Sequence, residues 1–289
     1  MEKIKTLVSV LAGLGAVFII VLAAAFWPVL ETRVAVIPVR GAISPGALEA
    51  SPSNVQEQIQ TARSEGAEGF LFQIKSPGGT VVASRQLEKT IDNVEEPTVC
   101  QLQDYATSGA YWAASACDKI VTDPLTMTGG IGVMASYLEY SEFMEDEGIQ
   151  YIRLIEGDLK DMGSPYRNIT DEERKLFEKI LKETHADFTD TILQNRKIDE
   201  DMMEEIKRGH IFMGSEALEL GLADQLGGKQ EAKKIFEEVF NETVVLEEYR
   251  RNPGLIELLF GTRSETSGKL EEMSSSAEVN PPKLYALVG

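Results

Sequence analysis

The sequence predicts an α/β fold with a mainly parallel sheet. Short segments rich in valine and isoleucine alternate with amphipathic segments of helical spacing along most of the chain, and this alternation is typical of strands joined by crossover helices. Turn motifs containing glycine or proline, such as SPGG at 76–79, separate the segments. The 289 residues are enough for one large domain or two small ones. We place the main domain at residues 31–250.

The first half of this domain is predicted to contain three buried strands with helices between them. Valine, isoleucine and aromatic residues mark the strands, and SPGG ends the second one. The first helix has a serine at its start and a glycine at its end, which are typical helix boundaries. In chain order the segments are strand 33–43, helix 53–66, strand 69–75, helix 81–94 and strand 97–103.

The second half continues the alternation. Its longest helix opens with a capping box formed by Thr170 and Glu173. The predicted segments are helix 110–116, strand 119–123, a glycine-broken strand 127–135, helix 140–148, strand 149–157, helix 168–197, a helix–turn–strand unit 214–228, and a last helix and strand that run to about residue 249.

Residues 7–30 are predicted to form a transmembrane anchor. The segment contains no charged residue, and as a helix it would span about 36 Å, enough for a hydrocarbon core of ~30 Å. A cleaved signal sequence is the alternative, but Phe26 and Trp27 continue the apolar run beyond three alanines. Lysines in residues 1–6 place this short N-terminus in the cytoplasm. The domain that follows would then lie outside the cytoplasm.

Residues 251–289 are predicted to form a C-terminal tail that is partly disordered. Serine, glutamate and proline dominate residues 262–283, a composition that cannot bury enough apolar surface to fold. The last six residues, LYALVG, are apolar again. We expect them to dock on the domain.

Composition excludes several classes of function. A net charge of −19 argues against a nucleic-acid partner, which requires a basic surface. The two cysteines, Cys100 and Cys117, are expected to form neither a disulfide framework nor a metal site, and Cys117 to be a small buried apolar residue. The histidines, His185 and His210, lack a spacing suited to zinc. No cofactor or metal is expected.

Ser108 stands at a predicted strand-to-helix junction, in ATSGAY. It has two interpretations. A serine at this position commonly caps the helix, but its hydroxyl would also lie near helix amides that favour negative charge, as a nucleophile requires. The Gly109 amide and the glycines of SPGG could then bind an oxyanion. Neither histidine has local support as the general base, and a lysine could serve instead.

Four stretches in order resemble the signal peptide peptidase A family. They are IKSPGGTVVAS, YATSGAYWAASACDKIVTDPLTMTGGIGV, EGDLKDMGSPYRNITDEER and GSEALELGLADQLGG. The resemblance runs from about residue 34 to about residue 248. It implies a membrane-bound serine protease with a Ser–Lys dyad. It also implies a fold like that of Clp protease and crotonase, with repeated ββα units.

The resemblance also implies roles for individual residues. Ser108 would be the nucleophile and Lys160, in GDLKDMGSP, the general base, while the amides of Gly79 and Gly109 would form the oxyanion hole. A ring-like or dome-like homo-oligomer is expected, in which a site can combine the serine and the lysine of neighbouring subunits.

Two features of the sequence bear on the lysine. The family usually has a serine that supports the ammonium in its TGSIGV-type block, whereas this chain has Gly130 there, so Thr128 or a water would replace it. Asp158 and Asp161 flank Lys160, and nearby carboxylates favour the charged amine, which is unsuited to a base. A working site requires both carboxylates to point away.

The function expected is that of a membrane-anchored serine endopeptidase. It would degrade signal-peptide remnants or other apolar peptides at the outer face of the membrane, with residues 7–30 in the bilayer. Three alternatives remain: a protease of the same clan that cleaves a stomatin-type membrane protein, an acyl-CoA enzyme of crotonase type, and a non-catalytic membrane scaffold with the same fold.

Overall fold

A parallel sheet with helices on both faces organises the chain. The computed structural model describes residues 31–250 and the backbone of a short strand at 284–286. The strand order in the main sheet is β10 (Val244–Glu248), β1 (Thr32–Arg40), β2 (Gly69–Ser76), β4 (Thr98–Thr107), β5 (Lys119–Thr122) and β9 (Gln225–Leu226). Strands β6 (Met127–Gly129) and β8 (Ile211–Met213) extend it beside the end of β4. All its strand pairs are parallel except β6 with β8. The α/β class and the mainly parallel sheet are therefore confirmed.

Eight of the eleven described strands lie close to predicted positions, whereas Gly79–Thr80, Ile211–Met213 and Leu284–Ala286 were not predicted as strands. Their bounds are β1 Thr32–Arg40, β2 Gly69–Ser76, β3 Gly79–Thr80, β4 Thr98–Thr107, β5 Lys119–Thr122, β6 Met127–Gly129, β7 Met134–Ala135, β8 Ile211–Met213, β9 Gln225–Leu226, β10 Val244–Glu248 and β11 Leu284–Ala286.

The helices connect these strands. Their bounds are α1 Pro52–Ser64, α2 Val81–Asp92, α3 Gly109–Ala114, α4 Ser141–Asp146, α5 Asp171–Asn195, α6 Glu200–Ile206, α7 Gly214–Glu219 and α8 Lys229–Phe240. The capping box predicted from Thr170 and Glu173 is present at the start of α5.

The central strands are buried on both faces, which explains their nearly continuous apolar sequences. In β1, Ala35 and Ile37 contribute to the large core that includes residues of α1, α2, α3 and α5. Val34 and Val36 point the other way, into a smaller core that contains Phe236 of α8. The period-2 alternation of a strand thus divides one sequence between two cores.

Helix α3 is short and fully buried. Trp112 stacks on Phe188 of α5 with ring centroids 4.4 Å apart, and the Tyr111 hydroxyl donates to the Leu222 carbonyl at 2.8 Å. Because the helix is fixed on several sides, the junction that begins it at residue 108 is fixed as well.

A second, three-stranded sheet has the order β3-β11-β7. In it, β11 runs antiparallel to both neighbours, with Ala286 opposite Gly79 and Leu284 opposite Ala135. The apolar end of the chain therefore docks on the domain, as the sequence predicts.

One predicted strand is wrong. Residues 149–157 form no strand in the structure, although they are rich in β-branched and aromatic residues. Among the described strands none pairs with this segment, and Ile152 and Leu154 are 76% and 90% exposed. The residues have strand propensity, but propensity without a partner does not make a strand.

The predicted membrane helix over residues 7–30 lies outside the described residues, as does the rest of the predicted tail at 251–283. Among the helices of residues 31–250, none is both long enough and apolar enough to cross a bilayer.

The cysteines correct another expectation, because Cys100 and Cys117 form a disulfide. Cys100 lies in β4 and Cys117 just beyond α3, and both side chains are buried. Their Cα atoms are 5.8 Å apart across a separation of 17 residues. The bond therefore closes a covalent loop around Ser108.

Reduction of this disulfide is expected to lower the free energy of unfolding by about 3 kcal/mol, because a loop of this length constrains the unfolded chain by that amount. Urea unfolding of the full chain in detergent, with and without a phosphine reductant, measures the difference. The double variant Cys100→Ala, Cys117→Ala is the control, since its unfolding should not depend on reductant. Two titratable thiols in the unreduced, unfolded chain would contradict the bond.

Candidate active site

Ser108 occupies a strained turn between β4 and α3. Its backbone has φ +55° and ψ −129°, outside the regions that residues with a side chain favour. Asn241 is the other non-glycine residue with positive φ in the described chain, and it has ordinary left-handed values at the end of α8. A conformation such as that of Ser108 costs roughly 1–3 kcal/mol and persists where its surroundings enforce it, often at functional sites.

Several contacts enforce this conformation. The Ser108 amide donates to the Gly129 carbonyl of β6 at 2.7 Å, and the Ser108 carbonyl accepts from the Trp112 amide at 3.0 Å. The turn is thereby anchored to a neighbouring strand on one side and to α3 on the other.

The side chain of Ser108 does not cap the helix. Ser108 is at the N-cap position, but its hydroxyl makes no capping hydrogen bond. Its Oγ is buried and finds no hydrogen-bond partner among the described residues, an arrangement that costs free energy and calls for an explanation. Of the two interpretations of Ser108, this geometry disfavours the cap.

Gly79 and Gly109 come together beside Ser108. A Cβ built on Gly109 would lie 3.4 Å from the Gly79 amide nitrogen and only 2.1 Å from Ser84 Oγ of α2. A Cβ on Gly79 would lie 1.9 Å from the Ile43 carbonyl oxygen. A side chain at Gly79 is thus excluded by the backbone of Ile43, and one at Gly109 by the side chain of Ser84. The two predicted oxyanion residues lie close together next to Ser108.

Gly130 and Thr128 lie on the β6 side of the same turn. A Cβ on Gly130 would be 3.4 Å from the Ser108 amide nitrogen, but the φ of +63° disfavours any side chain there. The Thr128 hydroxyl is buried and donates to the Ala106 carbonyl at 2.7 Å. Its remaining capacity is as an acceptor, which is the capacity that an ammonium would use.

Lys160 is not bonded to Ser108 within the described chain, because Ser108 Oγ has no hydrogen-bond partner there. The lysine lies on an exposed turn between α4 and α5. Within the described residues it forms no ion pair with Asp158 or Asp161. The carboxylate of Asp161 instead binds two arginines.

These arginines, Arg153 and Arg167, both donate to Asp161. Hydrogen bonds from Arg167 and then Arg153 hold the pKa of the Asp161 carboxyl well below its usual range. Arg167 also binds Glu173, and this contact lowers the pKa of Glu173 to about 2. All four groups are therefore charged at neutral pH.

The histidines do not complete a triad with Ser108. His185 Nε2 lies 3.3 Å from the Ile131 carbonyl, and His210 Nδ1 lies 2.7 Å from Glu205 Oε1. The packing and surface roles expected of them agree with these contacts.

Strands β3 and β7 form a site at which a third strand pairs. Strands β3 and β7 both offer backbone to β11, which lies between them. A cavity of about 350 Å³ adjoins Ala135 of β7 and is lined by Ile169, Phe177 and Leu181 among others. An extended peptide could pair with both strands, and its side chains could reach this apolar cavity.

Sequence reasoning missed Ser84 and the two arginines. Among the described residues, Ser84 Oγ is buried without a partner, as is Thr107 Oγ1, but nothing near Ser84 in sequence distinguishes it from other helical serines. Arg153 and Arg167 are conspicuous only once the chain brings them to Asp161. The capping box could have pointed to Arg167, because Glu173 belongs to that box and also binds Arg167.

The variant Gly109→Ala is expected to lose about 1–3 kcal/mol of stability, because its Cβ would overlap Ser84 Oγ. Thermal and urea unfolding of the full chain measure the loss. The double variant Gly109→Ala, Ser84→Gly removes the obstructing atoms and should recover part of it. A single variant as stable as the original chain would contradict the close approach of α2 to Gly109.

Comparison with known proteins shows the family of the chain. Residues 91–241 match the family described as Peptidase family S49. MJ0651 of Methanocaldococcus jannaschii, a protease candidate, is 30% identical over 203 residues, which are 68% of this chain and 65% of that protein. SppA of Enterococcus faecium, a signal peptide peptidase candidate, is 32% identical over 167 residues, or 57% of this chain and 48% of that protein.

The chain thus spans less than two thirds of the length of these two relatives. Among solved structures, a point mutant of the 1510-N membrane-bound stomatin-specific protease is similar with a TM-score of 0.47 and 17% identity, covering 78% of this chain and 100% of that one. The family match includes Ser108, Gly109 and Lys160, and it covers more than half of the chain. The chain belongs to peptidase family S49, the family of signal peptide peptidase A.

Proposed function

We propose that this protein is a membrane-anchored serine endopeptidase that uses Ser108 as nucleophile and Lys160 as general base, on a Clp protease/crotonase-like fold. The observation that carries the proposal is the turn at Ser108. Its strained backbone, buried Oγ without a partner among the described residues, and neighbouring glycine backbone match the needs of a nucleophile and not those of a helix cap.

The mechanism follows from these positions. Lys160, in its neutral form, accepts the proton of the Ser108 hydroxyl as Oγ attacks the scissile carbonyl carbon. The amides of Gly79 and Gly109 donate to the oxyanion, and such donors commonly contribute about 3–4 kcal/mol each. The protonated lysine then passes its proton to the leaving amine. Water hydrolyses the acyl-enzyme, with the lysine again accepting the proton.

The lysine is proposed to come from a neighbouring copy of the chain. Ser108 Oγ has no partner among the described residues of its own chain, and the segment that carries Lys160 exposes large apolar side chains. Leu138, Phe143, Ile152 and Leu154 are 61–90% exposed, which a monomeric surface seldom tolerates at this density. A second copy covering this surface would bring a foreign lysine to each serine.

Apolar peptides are the proposed substrates, including remnants of cleaved signal sequences. The pairing of β11 with β3 and β7 supports this class, because LYA is an apolar segment bound through its backbone. The proposed anchor at residues 7–30 would raise the effective concentration of substrates that stay in the bilayer. The site would face the outside of the membrane.

Replacing either dyad residue should abolish cleavage. The variants Ser108→Ala and Lys160→Ala of the full chain in detergent are expected to cleave an apolar fluorogenic peptide at background rate. Labelling by a fluorophosphonate probe should also disappear in Ser108→Ala. His185→Ala and His210→Ala are the controls and should retain activity. If a histidine variant loses cleavage activity while Lys160→Ala keeps it, the site is a triad and not a Ser–Lys dyad. If the folded wild-type chain is not labelled by the probe, the non-catalytic scaffold is favoured.

Co-expression of the two inactive variants tests the origin of the lysine. If the dyad forms between copies, a one-to-one mixture should regain about a quarter of the wild-type rate. In random assembly half of the sites have an intact serine, and half of those receive an intact lysine from the neighbouring copy. Recovery of no activity would place both residues in one chain.

Deleting residues 279–289 is expected to raise kcat/KM several-fold, because β11 competes with peptides for β3 and β7. Initial rates with the same fluorogenic peptide measure the effect. Intact-mass spectrometry must first show that the undeleted chain keeps its C-terminus. Equal rates for the two chains would mean that the tail does not pair with β3 and β7 in solution.

A further inference from the structure

Two arginines hold the turn that carries Lys160. Arg153 Nη2 donates to the Asp158 carbonyl at 2.7 Å, and Arg167 Nη2 donates to the Asp161 carbonyl at 3.2 Å. These carbonyls stand on the two sides of Lys160 in the chain. The Lys160 amide itself closes the turn by donating to the Gly157 carbonyl at 3.0 Å. The backbone from which the lysine projects is thus bound from both flanks.

The same arginines engage the carboxylate next to the lysine. Arg153 binds Asp161 through two parallel hydrogen bonds, Nε to Oδ2 and Nη2 to Oδ1, both 2.7 Å. Arg167 Nη2 adds a contact to Oδ1 at 2.9 Å. Bidentate pairs of this kind are among the strongest charged hydrogen bonds. Asp161 is also only 11% exposed, so little water competes for it.

Arg167 is in turn anchored to helix α5. Its Nη1 donates to Glu173 Oε2 at 2.9 Å, and the Glu173 side chain is 1% exposed. Glu173 also accepts from the Thr170 amide at 2.8 Å in the capping box. The turn is therefore attached to helix α5. The cluster as a whole contains two guanidiniums and two carboxylates.

We propose that Arg153 and Arg167 are positioning residues for the general base. They hold the backbone around Lys160 and neutralise Asp161, so that the carboxylate adjacent to the lysine does not stabilise its charged form. This inference rests on the proposed role of Lys160. It assigns a function to residues that touch neither substrate nor nucleophile.

The physical argument is a balance of charge. A carboxylate within reach of an amine favours the ammonium, whereas a guanidinium favours the neutral amine. Asp161 pairs with both arginines and Arg167 also pairs with Glu173, so two guanidiniums face two carboxylates beside this turn. The other charged groups around the turn are Glu156, Asp158, Arg153, Arg167 and, at the start of α5, Glu173. Among the described residues, none of these forms an ion pair with Lys160.

The test follows the titration of the Lys160 amine directly. Acetic anhydride modifies neutral amines, so the extent of Lys160 acetylation against pH, measured by peptide mass spectrometry of the full chain in detergent, gives its midpoint. Arg153→Gln leaves Asp161 less neutralised and should raise the midpoint by about 0.5–1 pH unit. Asp161→Asn removes one of the two carboxylates that balance the two guanidiniums. It leaves one positive charge uncompensated and should lower the midpoint by a similar amount.

The controls separate charge from structure. Arg63→Gln breaks a comparable bidentate pair between Arg63 of α1 and Glu96 and should not move the midpoint. Arg153→Lys keeps the charge but loses the paired contact, so the midpoint should stay while peptide cleavage falls. Circular dichroism and thermal unfolding verify that each variant is folded.

Opposite shifts in Arg153→Gln and Asp161→Asn support the proposal. Shifts in the same direction, or midpoints equal to that of the original chain, would overturn it. The titration does not depend on peptide cleavage, so its outcome is distinct from a failure of the proposed dyad, which the activities of Ser108→Ala and Lys160→Ala decide.

Discussion

The turn at Ser108 is the constraint on which the candidate site depends. A residue with a side chain is held at φ +55° only because its neighbours leave no alternative. The hydrogen bond to Gly129, the buried helix α3 and the disulfide across the turn all act on the same few atoms. Without them the backbone would relax, and the hydroxyl would turn towards the helix amides as an ordinary cap.

Much of the fold could be predicted from sequence, because burial on both faces of a sheet leaves a clear apolar signal. The strands containing Val36, Phe72 and Val99 were predicted from that signal. The capping box at the start of α5 was predicted separately, from the spacing of Thr170 and Glu173. Residues 149–157 carry the same kind of signal without a neighbouring strand, so their prediction was wrong. Strand propensity indicates that a segment can be extended, but the segment forms a strand only if a neighbouring strand pairs with it.

The site was less accessible to sequence reasoning. Ser108 and the glycines were singled out by their place at strand ends, and the family resemblance then implied their catalytic roles. The strain at Ser108 is a backbone property that residue type does not reveal. The disulfide was missed because Cys100 and Cys117 lie in apolar segments, where a buried free thiol is equally reasonable. The contacts of Arg153 and Arg167 depend on how a loop without regular structure folds back on itself, and no periodic pattern records that.

The disulfide also ties maturation of the molecule to its location. Bonds of this kind persist outside the cytoplasm, where thiols are not kept reduced. A chain still inside the cell would carry two thiols in place of the covalent loop around its reactive serine. If the domain is exported as proposed, oxidation would close the covalent loop around Ser108 only on the far side of the membrane.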